Sequence, residues 1–215
     1  MTRSPITKPI AAVKIVAFGD SLTVGESELG SDPEEYASYP GYLEFLAQRH
    51  LGKHRSDVKV SVVNRGVCGD LTSGMLRRFS RDVVVEKPDY VIILGGTNDI
   101  GWLMDPAMIA DNLSMIYDAA LDAGIVPIAC TVPSILGLDE LIPPRSRLNR
   151  MIRTEAEKRS IASLDLFAAT ADSETNRLSE QYSADGLHLN MKGYRQIGQY
   201  IFDNWLRALL DKYAQ

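Results

Sequence analysis

"VKIVAFGDSLTVG", residues 13–25, is the stretch on which the architecture of this chain turns. An apolar run from Val13 to Phe18 is rich in β-branched residues and ends at Gly19 and Asp20, after which Ser21 is presented. Such a run reads as a first strand. Why it should end in a serine flanked by glycines is a chemical question. A plain strand-to-helix turn needs only the glycine and a cap, which Asp20 or Ser21 supplies. A nucleophilic serine needs more: a base, an acid to orient it and donors for an oxyanion.

Further along the chain, short β-branched runs alternate with longer helical patterns. Strands are predicted at Val58–Val63, Tyr90–Leu94, Val126–Thr131 and Ile161–Leu166, in addition to Val13–Phe18. Helices are predicted around Tyr42–Leu51, Thr72–Val85, Pro106–Ala123 and Arg145–Arg159. A last helix, about Lys192–Tyr213, places Ile197, Ile201, Trp205 and Leu209 on one face at four-residue spacing. Alternating elements with short connections imply an α/β fold, a parallel sheet covered on both sides. Five strands suit a three-layer, doubly wound, flavodoxin-like sheet of order 2-1-3-4-5. Two long connections, "GESELGSDPEEYASYP" and "VPSILGLDELIPPRS", leave carboxyl ends of strands, where open α/β sheets place ligands.

The 215 residues fit a single domain, 1–215, and their 45% hydrophobic and 24% charged composition is that of a globular protein. A formal net charge of -5, with no long Lys/Arg run, argues against a nucleic-acid partner. No apolar run approaches a membrane span, so stable membrane insertion is not expected. The N-terminus lacks a distinct signal-peptide pattern, which points to the cytoplasm. Cys68 and Cys130 form no CxxC pair, and Cys130 in "GIVPIACTV" reads as a core thiol.

Three histidines are available as a base. His50 and His54 lie in "QRHLGKHRS", where a basic helix end accounts for them. No pair of histidines is read at the helical HExxH spacing, so a metal hydrolase is disfavoured and no metal site is expected. His188 stands in "DGLHLN", three residues after Asp185, a spacing that lets the carboxylate reach the imidazole Nδ1–H and leaves Nε2 for Ser21. Asp185 as a turn former and Asn190 as a helix cap would explain the same residues, and the pair alone does not decide. Oxyanion donors are offered by "NRGVCGD", with the Gly69 N–H, and by "GGTND", with the Asn98 amide. Each is also ordinary turn chemistry. Their joint placement after strands and before the last helix is what turn chemistry explains poorly.

Taken in order, "FGDSLT", "NRGVCGD", "GGTND" and "DGLHLN" resemble the four motif blocks of the SGNH hydrolases, the GDSL esterase/lipase superfamily. The resemblance implies Ser21 as nucleophile, His188 as general base and acid, and Asp185 as its orienter. It implies an oxyanion hole from the Ser21 N–H, the Gly69 N–H and the Asn98 side chain. It also implies hydrolysis of carboxylic esters through an acyl-enzyme, with no metal or organic cofactor. The glycine block departs slightly, with Cys68 before Gly69 and Leu71 after Asp70, which could reshape the pocket.

A small-molecule ester is the expected partner, and moderate loops without an evident lid helix favour short acyl groups. Within the family a lysophospholipase, a thioesterase or a sugar deacetylase is the alternative. Outside it, the rival is a non-catalytic doubly wound binding domain, although the chain has neither a phosphate loop nor GxGxxG after the first strand. "IGWLMDP", residues 100–106, offers Trp102, Leu103 and Met104 either to an acyl pocket or to the core. The sequence leaves the oligomeric state open.

Overall fold

A computed structural model describes residues 12–25, 38–54 and 57–212. Most of the first long connection, residues 26–37, lies outside them, and so does the N-terminal segment before residue 12. Among the described residues the sheet has five parallel strands: β1 (Ala12–Gly19), β2 (Lys59–Gly66), β3 (Tyr90–Leu94), β4 (Val126–Cys130) and β5 (Ala162–Leu164). Their order is β2-β1-β3-β4-β5, as the alternation of elements implies. β1 is central and paired on both sides, with Gly19 in register with Gly66 and with Leu94.

The period of two along a strand divides β1 between two cores. Val13, Ile15 and Ala17 face one cluster, which α2 (Tyr39–Lys53) and α8 (Met191–Ile201) cover with Leu43, Ala47, Tyr194 and Ile197. Val16 and Phe18 face the other, which α3 (Thr72–Asp82), α5 (Pro106–Asp122) and α6 (Ile142–Arg159) cover with Met75, Phe79, Leu113 and Leu148. The ends of these helices follow local rules. Pro106 opens α5 behind the Asp105 cap, whose carboxylate accepts from Ala107 N at 2.9 Å. Short helices occupy the strand ends: α1 (Ser21–Val24), α4 (Thr97–Gly101) and α7 (Leu166–Thr170).

The C-terminal helix departs from the expected single stripe. It is interrupted by a π-turn at Phe202–Leu206 before α9 (Arg207–Asp211). The extra residue in that turn rotates the apolar face by one position. The buried positions therefore run Ile197, Ile201, Leu206 and Leu210, while Trp205 and Leu209 are only partly buried. Trp205 instead packs edge-on against Tyr90, with ring centroids 5.4 Å apart.

Candidate active site

Ser21 is the first residue of α1, immediately after the end of β1. The strand end is tight: a Cβ at Gly19 would collide with Leu94 O and the Thr23 side chain, so only glycine fits. Asp20 caps α1, its Oδ1 accepting from Leu22 N at 2.9 Å. The capping reading of the serine block is correct for Asp20. It coexists with a partnered Ser21 hydroxyl, because Ser21 Oγ lies 3.1 Å from His188 Nε2.

The histidine turn is built from both readings of "DGLHLN". Asp185 Oδ1 accepts from Leu187 N at 2.9 Å and from His188 N at 2.7 Å, closing the turn. Its Oδ2 lies 2.8 Å from His188 Nδ1. Asn190 caps α8, accepting from Gly193 N at 3.0 Å. Burial would raise the Asp185 carboxyl, but bonds from the His188 ring and from the His188 and Leu187 N–H groups outweigh it and hold it at about 2. The second long connection supports the turn: Leu136 N–H donates to Gly186 O at 2.8 Å.

Gly69 sits at φ 72°, in the left-handed region, with open space where a Cβ would stand. Its glycine is required by the backbone angle rather than by crowding. Asn98, in α4, is neither a local turn former nor unattached. Its Nδ2 donates to Asp70 O at 2.9 Å, tying the asparagine block to the glycine block. A primary amide has two protons, so the second is left for a ligand.

Several supporting residues carry no recognisable motif. Arg78 is nearly buried and binds across the site: Nε to Asp70 Oδ2 at 2.6 Å, Nη1 to Arg65 O at 2.9 Å and to Asp82 Oδ2 at 3.1 Å, Nη2 to Gly19 O at 2.7 Å. Its guanidinium also lies over the Phe18 ring, 4.2 Å from the centroid. One side chain therefore fixes the end of β1 and the glycine block together. Removing it would leave Asp70 without that cation, so Arg78→Ala should cost about 3–5 kcal/mol of unfolding free energy in a urea titration. Asp99 does similar work for the other pair of loops. It is fully buried and accepts from Thr72 N at 3.1 Å and from Thr72 Oγ1 at 2.6 Å. Amphipathic spacing on α3 and α4 gives no hint of either cross-link.

Asp20 is fully buried, and its Oδ2 has no hydrogen-bond partner among the described residues. Desolvation raises its carboxyl to about 7, with the Asp99 charge adding to the rise and the Leu22 N–H opposing it. Buried Arg145 stands close enough to feel the Asp20 charge, and desolvation pulls its guanidinium down to about 10. A carboxyl raised in the folded state contributes stability that is fully present below about pH 4 and is lost as the pH rises through about 7. Asp20→Asn keeps a capping oxygen and removes that titration. It should gain roughly 1–3 kcal/mol at pH 8 and little at pH 4, measured by denaturant unfolding at both values.

Trp102 and Leu103, at the end of α4, are 76% and 80% exposed, so neither serves the core. Met104 is partly buried against the α3/α5/α6 cluster. Cys130 is a buried core thiol, which desolvation pushes well above its ordinary range. His50 and His54 occupy the C-terminal end of α2, as their sequence context implies. Contrary to the expectation that no histidine pair has the HExxH spacing, these two stand four residues apart on the helix, with Leu51, Gly52 and Lys53 between them and no glutamate after the first.

Comparison with known proteins bears on the family and the fold. Among curated relatives, an acetylxylan esterase of Geobacillus stearothermophilus is 31% identical over 40% of this chain and 40% of its own length. Esterase TesA of Pseudomonas aeruginosa is 31% identical over 55% of this chain and 54% of its own. The chain thus spans about half the length of the curated relatives it matches. Among solved structures, a lipase/acylhydrolase from Enterococcus faecalis superposes with a TM-score of 0.67 at 28% identity, covering 89% of this chain and 94% of that one. An acetylxylan esterase from Geobacillus stearothermophilus superposes with a TM-score of 0.73 at 20% identity, covering 90% and 94%, a likeness of fold. The model of the GDSL-like lipase/acylhydrolase family matches residues 17–196, the span that holds all four motif blocks, and the chain belongs to that family.

Proposed function

We propose that the protein is a serine hydrolase of carboxylic esters. The observation that carries the reading is the relay Ser21 Oγ, His188 Nε2, His188 Nδ1, Asp185 Oδ2, with contacts of 3.1 and 2.8 Å. With Nδ1–H directed at Asp185, Nε2 accepts the Ser21 proton as Oγ attacks the ester carbonyl. The imidazolium then donates that proton to the departing alcohol, leaving an acyl-enzyme. Water attacks the acyl-enzyme with His188 again as base, releasing the carboxylic acid and restoring Ser21. The Ser21 and Gly69 N–H groups and the second Asn98 proton are the donors for the oxyanion. No metal or organic cofactor enters these steps.

Short acyl esters are the proposed substrates. The acetylxylan esterase of Geobacillus stearothermophilus among the relatives supports the choice, and exposed Trp102 and Leu103 beside α4 offer apolar surface for a small substrate. The alternative within the family is a lysophospholipase or thioesterase. A panel of esters from two-carbon to twelve-carbon acyl groups tests this reading, with kcat/KM expected to fall along the series. A clear rise would transfer the assignment to long-chain lipids. No reaction on any ester, with no labelling by a fluorophosphonate, would favour a non-catalytic binding domain. Among the described residues no helix is long and apolar enough to cross a membrane.

Asn98→Ala should lower kcat by about 10²–10³, or roughly 3–4 kcal/mol, with a much smaller change in KM, because the donor acts mainly as charge develops. Loss of its bond to Asp70 O adds a stability cost of about 1 kcal/mol. Melting temperature and steady-state kinetics on one preparation separate the two effects. A destabilised variant with near-normal kcat would remove Asn98 from the oxyanion hole.

A further inference from the structure

At the far end of α2 from Ser21, three side chains with metal-binding atoms converge. His50 and His54 project from successive turns of the same helix, a separation that places both on one face. Asp211, at the end of α9, meets them from the C-terminal part of the chain. One ligand atom from each lies within 4.8 Å of the other two. His50 Nε2 is 2.7 Å from Asp211 Oδ1, and the two imidazole rings have centroids 4.7 Å apart. Helix carbonyls at this end give a negative potential that favours a cation. An open cavity of about 420 Å³ adjoins the histidines, so an ion and its waters have room.

We propose that His50, His54 and Asp211 form a binding site for a divalent transition metal, with Zn²⁺ as the test ion. Two imidazoles and one carboxylate are ligands zinc accepts, and a fourth position is left for water. Zinc–ligand bonds of about 2.0–2.2 Å require neighbouring ligand atoms to stand roughly 3.3 Å apart. The three ligand atoms already lie within 4.8 Å of one another, and His54 is exposed, so its side chain has room to rotate toward that spacing. When the ion binds, His50 takes the tautomer with its proton on Nδ1, exchanged through solvent from Nε2, and metal–nitrogen and metal–oxygen bonds replace the hydrogen bond to Asp211.

Basic side chains also line the cavity: Arg49, Lys53 and Arg207. Arg207 is ion-paired with Asp203 and lies over the Phe202 ring, 5.2 Å from its centroid. Arg49 and Lys53 weaken a bound cation and raise the affinity of an anion for its open position. The site is therefore exchangeable rather than a permanent structural centre. Its effect is to fasten α9 to α2. Catalysis lies elsewhere: Tyr39, at the start of α2, is the residue 3.4 Å from Thr23 beside the nucleophile, and His50 is roughly 17 Å further along the helix axis.

The test is calorimetric titration of Zn²⁺ into the chelator-treated full chain in a phosphate-free buffer, paired with thermal melts. One saturable site is expected, with Tm raised by about 5–10 °C at zinc concentrations 100-fold above Kd. His54→Ala and Asp211→Asn should each weaken binding at least tenfold and abolish the Tm shift. Ester hydrolysis by the metal-free variants should match that of the metal-free parent, so failure here is separate from failure of the hydrolase assignment. Absence of saturable binding would overturn the proposal. So would wild-type affinity in both variants, which would put the metal elsewhere. Stabilisation by inorganic phosphate but not by zinc, lost in Arg49→Ala, would make the cavity an anion site instead.

Discussion

Ser21→Ala should reduce ester hydrolysis by about 10⁵–10⁶ in kcat and abolish covalent labelling by a fluorophosphonate. The size of the effect follows from the covalent route. Without Oγ there is no acyl-enzyme, and what remains is water attack assisted only by oxyanion donors and binding. Stability gives the control. Ser21 Oγ is seen bonded only to His188 Nε2 among the described residues, at 3.1 Å, so its removal should change unfolding free energy by no more than about 1 kcal/mol. The loss is therefore to be read on a folded protein, with circular dichroism and melting temperature measured on the same sample. Hydrolysis near the wild-type rate, with labelling retained at another residue, would transfer the nucleophile role away from Ser21.

Much of this arrangement is legible in the sequence because each part rests on local chemistry. Apolar β-branched runs such as Tyr90–Leu94 read as strands buried on both faces, and the structure places that strand at those residues. The order 2-1-3-4-5 follows from alternation of strand and helix, which leaves few ways to cover a parallel sheet. Ser21, Gly69, Asn98 and Asp185–His188 are visible for the same reason: glycine, serine and short polar residues at strand ends have few other uses in combination.

What the sequence hides is mostly non-local. The bonds of Arg78 to Asp70 and Gly19 join residues up to 59 positions apart, and no spacing rule encodes them. The bond from Asn98 to Asp70 O, across 28 positions, is equally silent. The π-turn at Phe202–Leu206 is hidden for another reason. Both Trp205 and Leu206 are apolar, so a pattern of four-residue steps fits the sequence whether or not the helix gains a residue there. Packing against the sheet decides it, by burying Leu206 and Leu210.

His188→Ala is expected to be as severe as loss of the nucleophile, about 10⁵–10⁶ in kcat, because serine and base act as one unit and their losses do not add. A Ser21→Ala, His188→Ala double variant should accordingly be little worse than either single change. The other histidines supply the contrast. His50 and His54 stand at the opposite end of α2, and their alanine variants should keep most of the activity. In the parent protein, activity should be lost in acid, since a protonated imidazole cannot accept the Ser21 proton. Asp185 does not confuse that limb, because its carboxyl is held at about 2. Asp185→Asn sharpens the test: an amide cannot stabilise the imidazolium, so kcat should fall by about 10⁴ although the turn is kept. Added imidazole should restore part of the His188→Ala rate if the missing group is a base, and none of it if His188 only shapes the turn. A folded His188→Ala protein with near-parent kcat, or a His50 or His54 variant equally inactive, would overturn the assignment of the base.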